Sequence, residues 1–220
     1  MRKRVLLLAV SCKNGGLCPG GLDLNDPSKW VRIVRDDGQA GAVQGFDIDF
    51  ANPLDVIEFE GRPMPQGKQL ENWVIDNHSC KNLGRVKRVG NGSDRALLDW
   101  AYNNYSYHGF WNNYRPYLSR QEFDVVTTPS ESILKVSNVR IYTDNYGKAK
   151  IDFEWSGSRY PVKWISMTDQ NFYNQIKGGN EVTFDNAYVV ISIPKECWVD
   201  YHSDACEEKA FKFVSKIFEI

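Results

Sequence analysis

The chain carries almost no net charge: 27 Lys and Arg stand against 28 Asp and Glu over 220 residues, a formal charge of −1. A uniformly basic field that would hold duplex DNA without regard to sequence is therefore excluded for the chain as a whole, though not for a local patch. Histidine is scarce, with His78, His108 and His202 scattered and no pair at metal-ligand spacing, so no metal is expected. Cysteine comes in an odd set, Cys12, Cys18, Cys80, Cys197 and Cys206, with no Cys-x-x-Cys pair. That disfavours a disulfide framework and a structural zinc site alike, and fits free thiols in a reducing cytoplasm, the expected location. No apolar stretch approaches the ~18 residues of a membrane span, so no membrane partner is expected. The start, MRKRVLLLAVSC, imitates a lipoprotein leader, but its apolar run from Val5 to Val10 is shorter than the ~7–15 residues of a secretory core. It reads as a first buried strand. GxGxxG and Walker A sequences are also missing, so no nucleotide cofactor is implied.

Aromatic residues, by contrast, are plentiful, with seven Trp, eleven Tyr and eleven Phe. Such bulk belongs in strands, or on a surface that needs flat faces. Leu22–Leu24 and Trp30–Val34 flank a turn and read as a hairpin, and the alternation of WVRIV leaves neither face purely apolar, as a binding face would. Leu54–Phe59, Trp73–Ile75 and Leu83–Val89 are further strand candidates. Ser93 can cap a helix over which Ala96, Leu97, Trp100 and Ala101 recur at helical spacing. An aromatic connector follows. From Ser132 onward the period is two: Ile133–Val136, Val139–Tyr142, Lys148–Trp155, Tyr160–Ser166, Tyr188–Ile193 and Phe211–Ile220 are strand candidates, although the last also fits a 3.6 period. Short strands joined by tight turns predict a small barrel or sandwich, mainly β with minor α.

Two kinds of segment could carry chemistry. SCKNGGLCPGG sets Ser11, Lys13, Gly15, Gly16, Cys18 and Gly21 together, a composition able to bring backbone N–H groups and an ammonium near a phosphate, or simply to connect strands. Elsewhere aromatic residues alternate with cations, as in Trp30-Val31-Arg32, Phe110-Trp111 with Tyr114-Arg115, and Arg159-Tyr160 with Lys163-Trp164. Surfaces of this kind stack bases, while the cations follow the backbone. Trp111 and Tyr114 are the stacking candidates of the connector. The carboxylate pairs Asp36-Asp37 and Glu207-Glu208 have no convergent partners in the sequence and read as solvated.

The N-terminal third resembles the dual OB-containing domain family, through Ser11, Lys13, Gly16, Cys18, Gly21, Trp30 and Arg32, and through a Gln-x-Glu-Asn stretch at Gln69, Glu71 and Asn72. The chain departs from that pattern at Pro19, at Ile33-Val34 and in an acidic insertion, ECWVDYHSDACEEK. The resemblance implies two small OB-like β-barrels, over 1–92 and 131–220, joined by a helix and aromatic connector over 93–130. It further implies nucleic-acid or nucleotide binding, with bacterial defence as one setting. Three readings follow, in order. The first is a non-enzymatic protein binding single-stranded nucleic acid or a nucleotide through Ser11, Lys13, Gly15, Gly16, Cys18, Gly21, Trp30, Arg32, Glu71 and Asn72, with Trp111 and Tyr114 stacking. The second is an interaction subunit whose partner is a protein of the same bacterial operon. The third is a small enzyme using Cys18 or Glu71. On this reading the regular second barrel is chiefly structural.

Overall fold

The apolar run that imitates a leader is the middle of a long strand, β1 (Arg2–Lys13). Residues 1–13, 15–26, 29–37, 41–85, 93–105, 114–127, 129–201 and 207–220 are described by the structure, a computed structural model. They belong to two units, Met1–Ser106 and Tyr107–Ile220. In β1, Val5, Leu6, Leu7, Leu8 and Ala9 are all fully buried, so both faces of the strand are covered. That double burial explains why the run is unbroken instead of alternating.

One edge of β1 pairs antiparallel with β2 (Gly16–Asp23), the other with β4 (Asp55–Pro63). Beyond β2 lies β3 (Trp30–Val34), antiparallel to it. Next comes β5 (Asn72–Ile75), which runs parallel to β3 and antiparallel to β4. The circuit β1-β2-β3-β5-β4 therefore returns to β1, around a core that includes Val5, Leu7, Val31, Ile33, Ile57 and Phe59. Ile48, from a single 3-10 turn between β3 and β4, joins the same core. A further strand, β6 (Lys81–Arg85), adds to β4. Helix α1 (Asp94–Tyr105) starts where the Ser93 hydroxyl accepts the Ala96 N–H at 3.2 Å, and it buries Leu97, Leu98, Ala101 and Tyr105, one stripe of its surface.

The glycine-rich segment is part of this ladder. Ser11, Cys12 and Lys13 continue β1 and face Cys18, Leu17 and Gly16 of β2, and Gly15, at φ +78°, makes the turn. Its backbone groups are thus engaged between strands, where a phosphate-binding loop would have left them pointing outward. Gly21 is needed for a steric reason, because a Cβ there would run into the Leu6 carbonyl of the neighbouring strand. Gly21→Ala is accordingly expected to destabilise the first barrel by about 1–3 kcal/mol, read from urea unfolding.

The second unit repeats the circuit. β8 (Glu131–Thr143), β9 (Ala149–Glu154), β10 (Val162–Met167), β11 (Val182–Ser192) and β14 (Phe213–Glu219) form a closed barrel in the order β10-β14-β11-β8-β9. Again the third and fifth strands of the circuit, β10 and β14, are the parallel pair. The two strand candidates Ile133–Val136 and Val139–Tyr142 are one strand, bent where the β8–β9 register slips between Ser137 and Arg140 and Asn138 takes φ +50°. The C-terminal segment is strand and not helix, since its apolar residues Val214 and Ile217 enter the core beside Ile165, Ile151 and Val189. A short helix, α3 (Gln170–Ile176), links β10 to β11. Alongside the barrel, β7 (Tyr117–Ser119), β12 (Trp198–Val199) and β13 (Glu208–Phe211) make a small sheet in the order β12-β13-β7. Helix α2 (Arg120–Asp124) follows β7, its N-terminus closed by a reciprocal Ser119–Glu122 capping box.

Candidate nucleic-acid interface

Strand β10 is irregular in a way that matters. Val162 pairs with Phe153 of β9 and Ile165 with Ile151, so two residues of β10, Lys163 and Trp164, oppose the single Asp152. Both neighbours of the bulge, Val162 and Ile165, point into the core, which turns Lys163 and Trp164 outward together. Trp164 sits at φ +63°, a left-handed conformation that a bulky side chain adopts only at a cost of about 1–3 kcal/mol. Its backbone N–H donates to the Asp152 carboxylate at 2.8 Å, which holds the bulge, and the residue is 67% exposed. Such a conformation persists where the surroundings fix it, here through the bond to Asp152.

Beside the bulge lies a groove of about 480 Å³ lined by Tyr114, Arg115, Pro116, Tyr160, Pro161, Lys163 and Trp164. Tyr114 and Tyr160 meet edge to face, 5.1 Å between ring centres. The loop that carries Tyr160 is fixed by its own bonds: the Ser158 N–H donates to the Trp155 carbonyl at 2.9 Å, and the Ser158 hydroxyl to the Tyr160 carbonyl at 2.7 Å. The Arg159 guanidinium lies 5.6 Å from the centre of the Tyr160 ring. Arg115 is held from behind by Glu122, the α2 capping residue, so that the cap also positions a cation of the groove. The result is an aromatic surface with Arg115 and Lys163 in its lining and Arg159 beside Tyr160, a combination chemically able to take a stacked base and its phosphate.

Lys212 supports the same segment. Its side chain is buried, the residue being 1% exposed, and its backbone N–H donates to the Pro116 carbonyl at 2.9 Å. Burial pushes its pKa down to about 7, with Glu122 opposing and Arg115 reinforcing the shift. A lysine whose folded pKa lies below its unfolded one binds fewer protons folded than unfolded, so its contribution to stability rises as pH climbs above about 7. Cys80, pushed up to about 12 by burial, has the opposite slope above its ordinary value of 9.0. Stability is therefore expected to rise between these limits, and Lys212→Met to raise the Tm at neutral pH and flatten that rise; a pH series of thermal melts checks both.

The positions read from the sequence have varied fates. Ser11 and Cys18 are half-buried opposite one another, and Lys13 ends β1. Trp30 is 5% exposed and Arg32 9%, so β3 is buried on both faces and Trp30 offers no stacking surface. The structure brings together Arg32, Glu71 and Asn72. Arg32 is in register with Asn72, its N–H donates to the Glu71 carbonyl at 3.0 Å, and its Nε lies 3.9 Å from the Glu71 carboxylate. Asn72 is fully buried, and neither amide atom has a hydrogen-bond partner among the described residues. Trp111, His108, His202 and Cys206 lie outside the described residues. Tyr114 is 49% exposed and lines the groove. Among the described residues no group of three or more His, Cys, Asp or Glu is placed to hold a metal ion, and no helix is long and apolar enough to cross a membrane.

Sequence reasoning noticed the pairs Arg159-Tyr160 and Lys163-Trp164 but gave the ligand to the first barrel. Strict alternation would have put Lys163 and Trp164 on opposite faces. The bulge that puts them on one face has no period-two signature. The first barrel has a hollow of its own, about 410 Å³, near the ends of β3 and β5. There Arg35 pairs with Asp47 at 3.0 Å and Arg62 with Asp36, as Arg115 of the groove pairs with Glu122.

A crystal structure of the tetrameric p202 HIN2 aligns over 100% of this chain and 92% of that chain, at 10% identity and a TM-score of 0.34. No curated protein matches the sequence. The model of the dual OB-containing domain, however, matches residues 3–217. With that match over nearly the whole length and the same five-strand circuit in both units, the chain belongs to the dual OB-containing domain family.

Proposed function

We propose a nucleic-acid-binding role, because OB-type domains commonly bind nucleic acid through the face of their second and third strands. We propose that this protein binds single-stranded nucleic acid through the groove on its second barrel, as a binding protein and not as an enzyme. The observation that carries the reading is the bulge in β10, which holds Trp164 in a strained conformation and exposes it beside Tyr160, Tyr114 and three cations. A stacking platform with few fixed polar groups suits many bases, so weak sequence preference is expected. Near-zero net charge restricts the attraction to this patch.

The test is a titration of the full chain with labelled oligothymidylate over a range of salt. If Arg115, Arg159 and Lys163 each meet a phosphate, log affinity falls against log salt with a slope of about −2. Lys163→Gln should bring the slope near −1.4, roughly one contact fewer. Binding that ignores salt, or no binding at low salt, would defeat the reading. A second reading, attachment to a protein partner, draws on the first barrel, where Phe46 and Phe50 are 55% and 73% exposed. A stoichiometric partner that survives nuclease treatment would favour it.

A further inference from the structure

The acidic segment at which the chain departs from its family pattern, ECWVDYHSDACEEK, has no part in the groove. From Pro194 to Lys209 the sequence sets Glu196, Asp200, Asp204, Glu207 and Glu208 against Lys195 and Lys209, five carboxylates to two ammonium groups, a formal −3 with His202 neutral. Its described parts form the β12–β13 ladder, with Trp198 opposite Lys209 and Val199 opposite Glu208. Lys209, 7% exposed, bridges Asp200 at 2.9 Å and Glu207 at 3.3 Å, and its ammonium lies 4.7 Å from the centre of the Tyr117 ring. Arg120 of α2 reaches Glu208 at 3.0 Å, but Asp124 comes with it at 2.9 Å. The excess of three carboxylates therefore stands.

An indole is exposed on this negative ground. Trp198 is 44% exposed, with Tyr201 beyond it at 79%. Its ring is backed by Phe213 of β14, 6.3 Å between centres. Alternation along the two strands puts Asp200 on the side of Trp198 and Glu207 on the side of Lys209, which is in register with Trp198. Both carboxylates thus flank the indole, and the Glu207 side chain is exposed.

Such a surface repels a phosphate backbone and attracts a cation. The face of an indole draws a guanidinium through its quadrupole, and a carboxylate accepts the paired N–H groups of the same guanidinium. Arginine suits the pair better than lysine, because its planar fork stacks and bonds at once. We infer that the β12–β13 hairpin is a docking surface for an arginine-bearing segment of a partner protein, with an arginine stacked on Trp198 and bonded to Glu207. This does not rest on the nucleic-acid reading, since the charge of the hairpin has the opposite sign from that of the groove.

The experiment measures fluorescence anisotropy of the full chain, at low salt, with labelled synthetic peptides in which arginine, lysine or glutamate alternates with leucine. The arginine peptide is expected to bind, the lysine peptide to bind more weakly and the glutamate peptide not at all. Trp198→Ala should weaken the arginine peptide roughly fivefold or more, the loss of one cation–π contact. Glu207→Lys should weaken it at least as much by reversing the charge, and keeps the test valid if Trp198→Ala disturbs the small sheet. Trp164→Ala should leave it unchanged. If the arginine peptide does not bind wild type, or binds wild type, Trp198→Ala and Glu207→Lys alike, the docking surface is wrong. If Trp198→Ala weakens oligothymidylate and spares the peptide, the hairpin belongs to nucleic acid; if the chain alone self-associates in sedimentation and Glu207→Lys abolishes it, the hairpin belongs to a second copy. Either result overturns the inference, while the groove is judged separately by the salt titration of oligothymidylate.

Discussion

Trp164→Gly is expected to cost the protein its ligand and not its fold. The residue holds φ +63°. Glycine adopts that conformation without the steric penalty of about 1–3 kcal/mol that tryptophan carries there. Against this, glycine gains unfolded-chain entropy worth about 0.4–1 kcal/mol. Since the residue is 67% exposed, little packing is lost, and the net stability change should be zero to slightly favourable. Affinity for a single strand should fall roughly 5- to 100-fold, the loss of one base–aromatic stack. Trp164→Ala should show the same binding loss while retaining the strain. A urea midpoint and an anisotropy titration on each variant separate the two effects. A large drop in stability with affinity intact would mean that Trp164 serves the fold.

Asp169→Ala should weaken the second barrel most. The carboxylate is 4% exposed and receives the Lys216 ammonium at 2.9 Å, the Ile217 N–H at 3.0 Å and the Asn171 N–H at 3.1 Å. It therefore caps α3 and ties it to β14. The parallel seam that it guards is short, with Ser166 opposite Phe213 and Met167 opposite Val214. Removing it strands a lysine that is itself only 11% exposed and frees two backbone donors. The expected loss is about 3–5 kcal/mol, a large share of the 5–15 kcal/mol of a typical domain. Adding Lys216→Met to the same chain should restore part of it, since an apolar side chain there leaves no charge to satisfy. A loss under about 1 kcal/mol in chemical denaturation would show that the seam closes without this residue.

How much of this was legible in the sequence depends on the physics behind each element. The β1 run was plain because both its faces are buried, and α1 because Ser93 caps it ahead of a helical stripe. The parallel pairing of β3 with β5, which closes the first barrel, joins segments about forty residues apart and leaves no local mark. SCKNGGLCPGG looked like a ligand loop because glycine serves both tight turns and phosphate cradles. Pairing with the neighbouring strand accounts for the tight turn. Gly21 is there for the Leu6 carbonyl, a contact visible only once β1 and β2 are in register. Trp30 and Arg32 read as a half-open face because their strand alternates, yet both sides of β3 are buried. The residues of the groove were present in the reading as aromatic and basic pairs. What brought them to one surface was the bulge at Lys163 and Trp164 and the capping of α2 by Glu122, which steadies Arg115.

The most direct test of the central claim is where a bound strand touches the protein. Photocross-linking of the full chain to an oligonucleotide carrying 5-iodouracil, with the adducts located by mass spectrometry, should mark Tyr160 or Trp164. Adducts confined to the first barrel, at Trp30 or its neighbours, with Tyr160 and Trp164 unmodified, would contradict it.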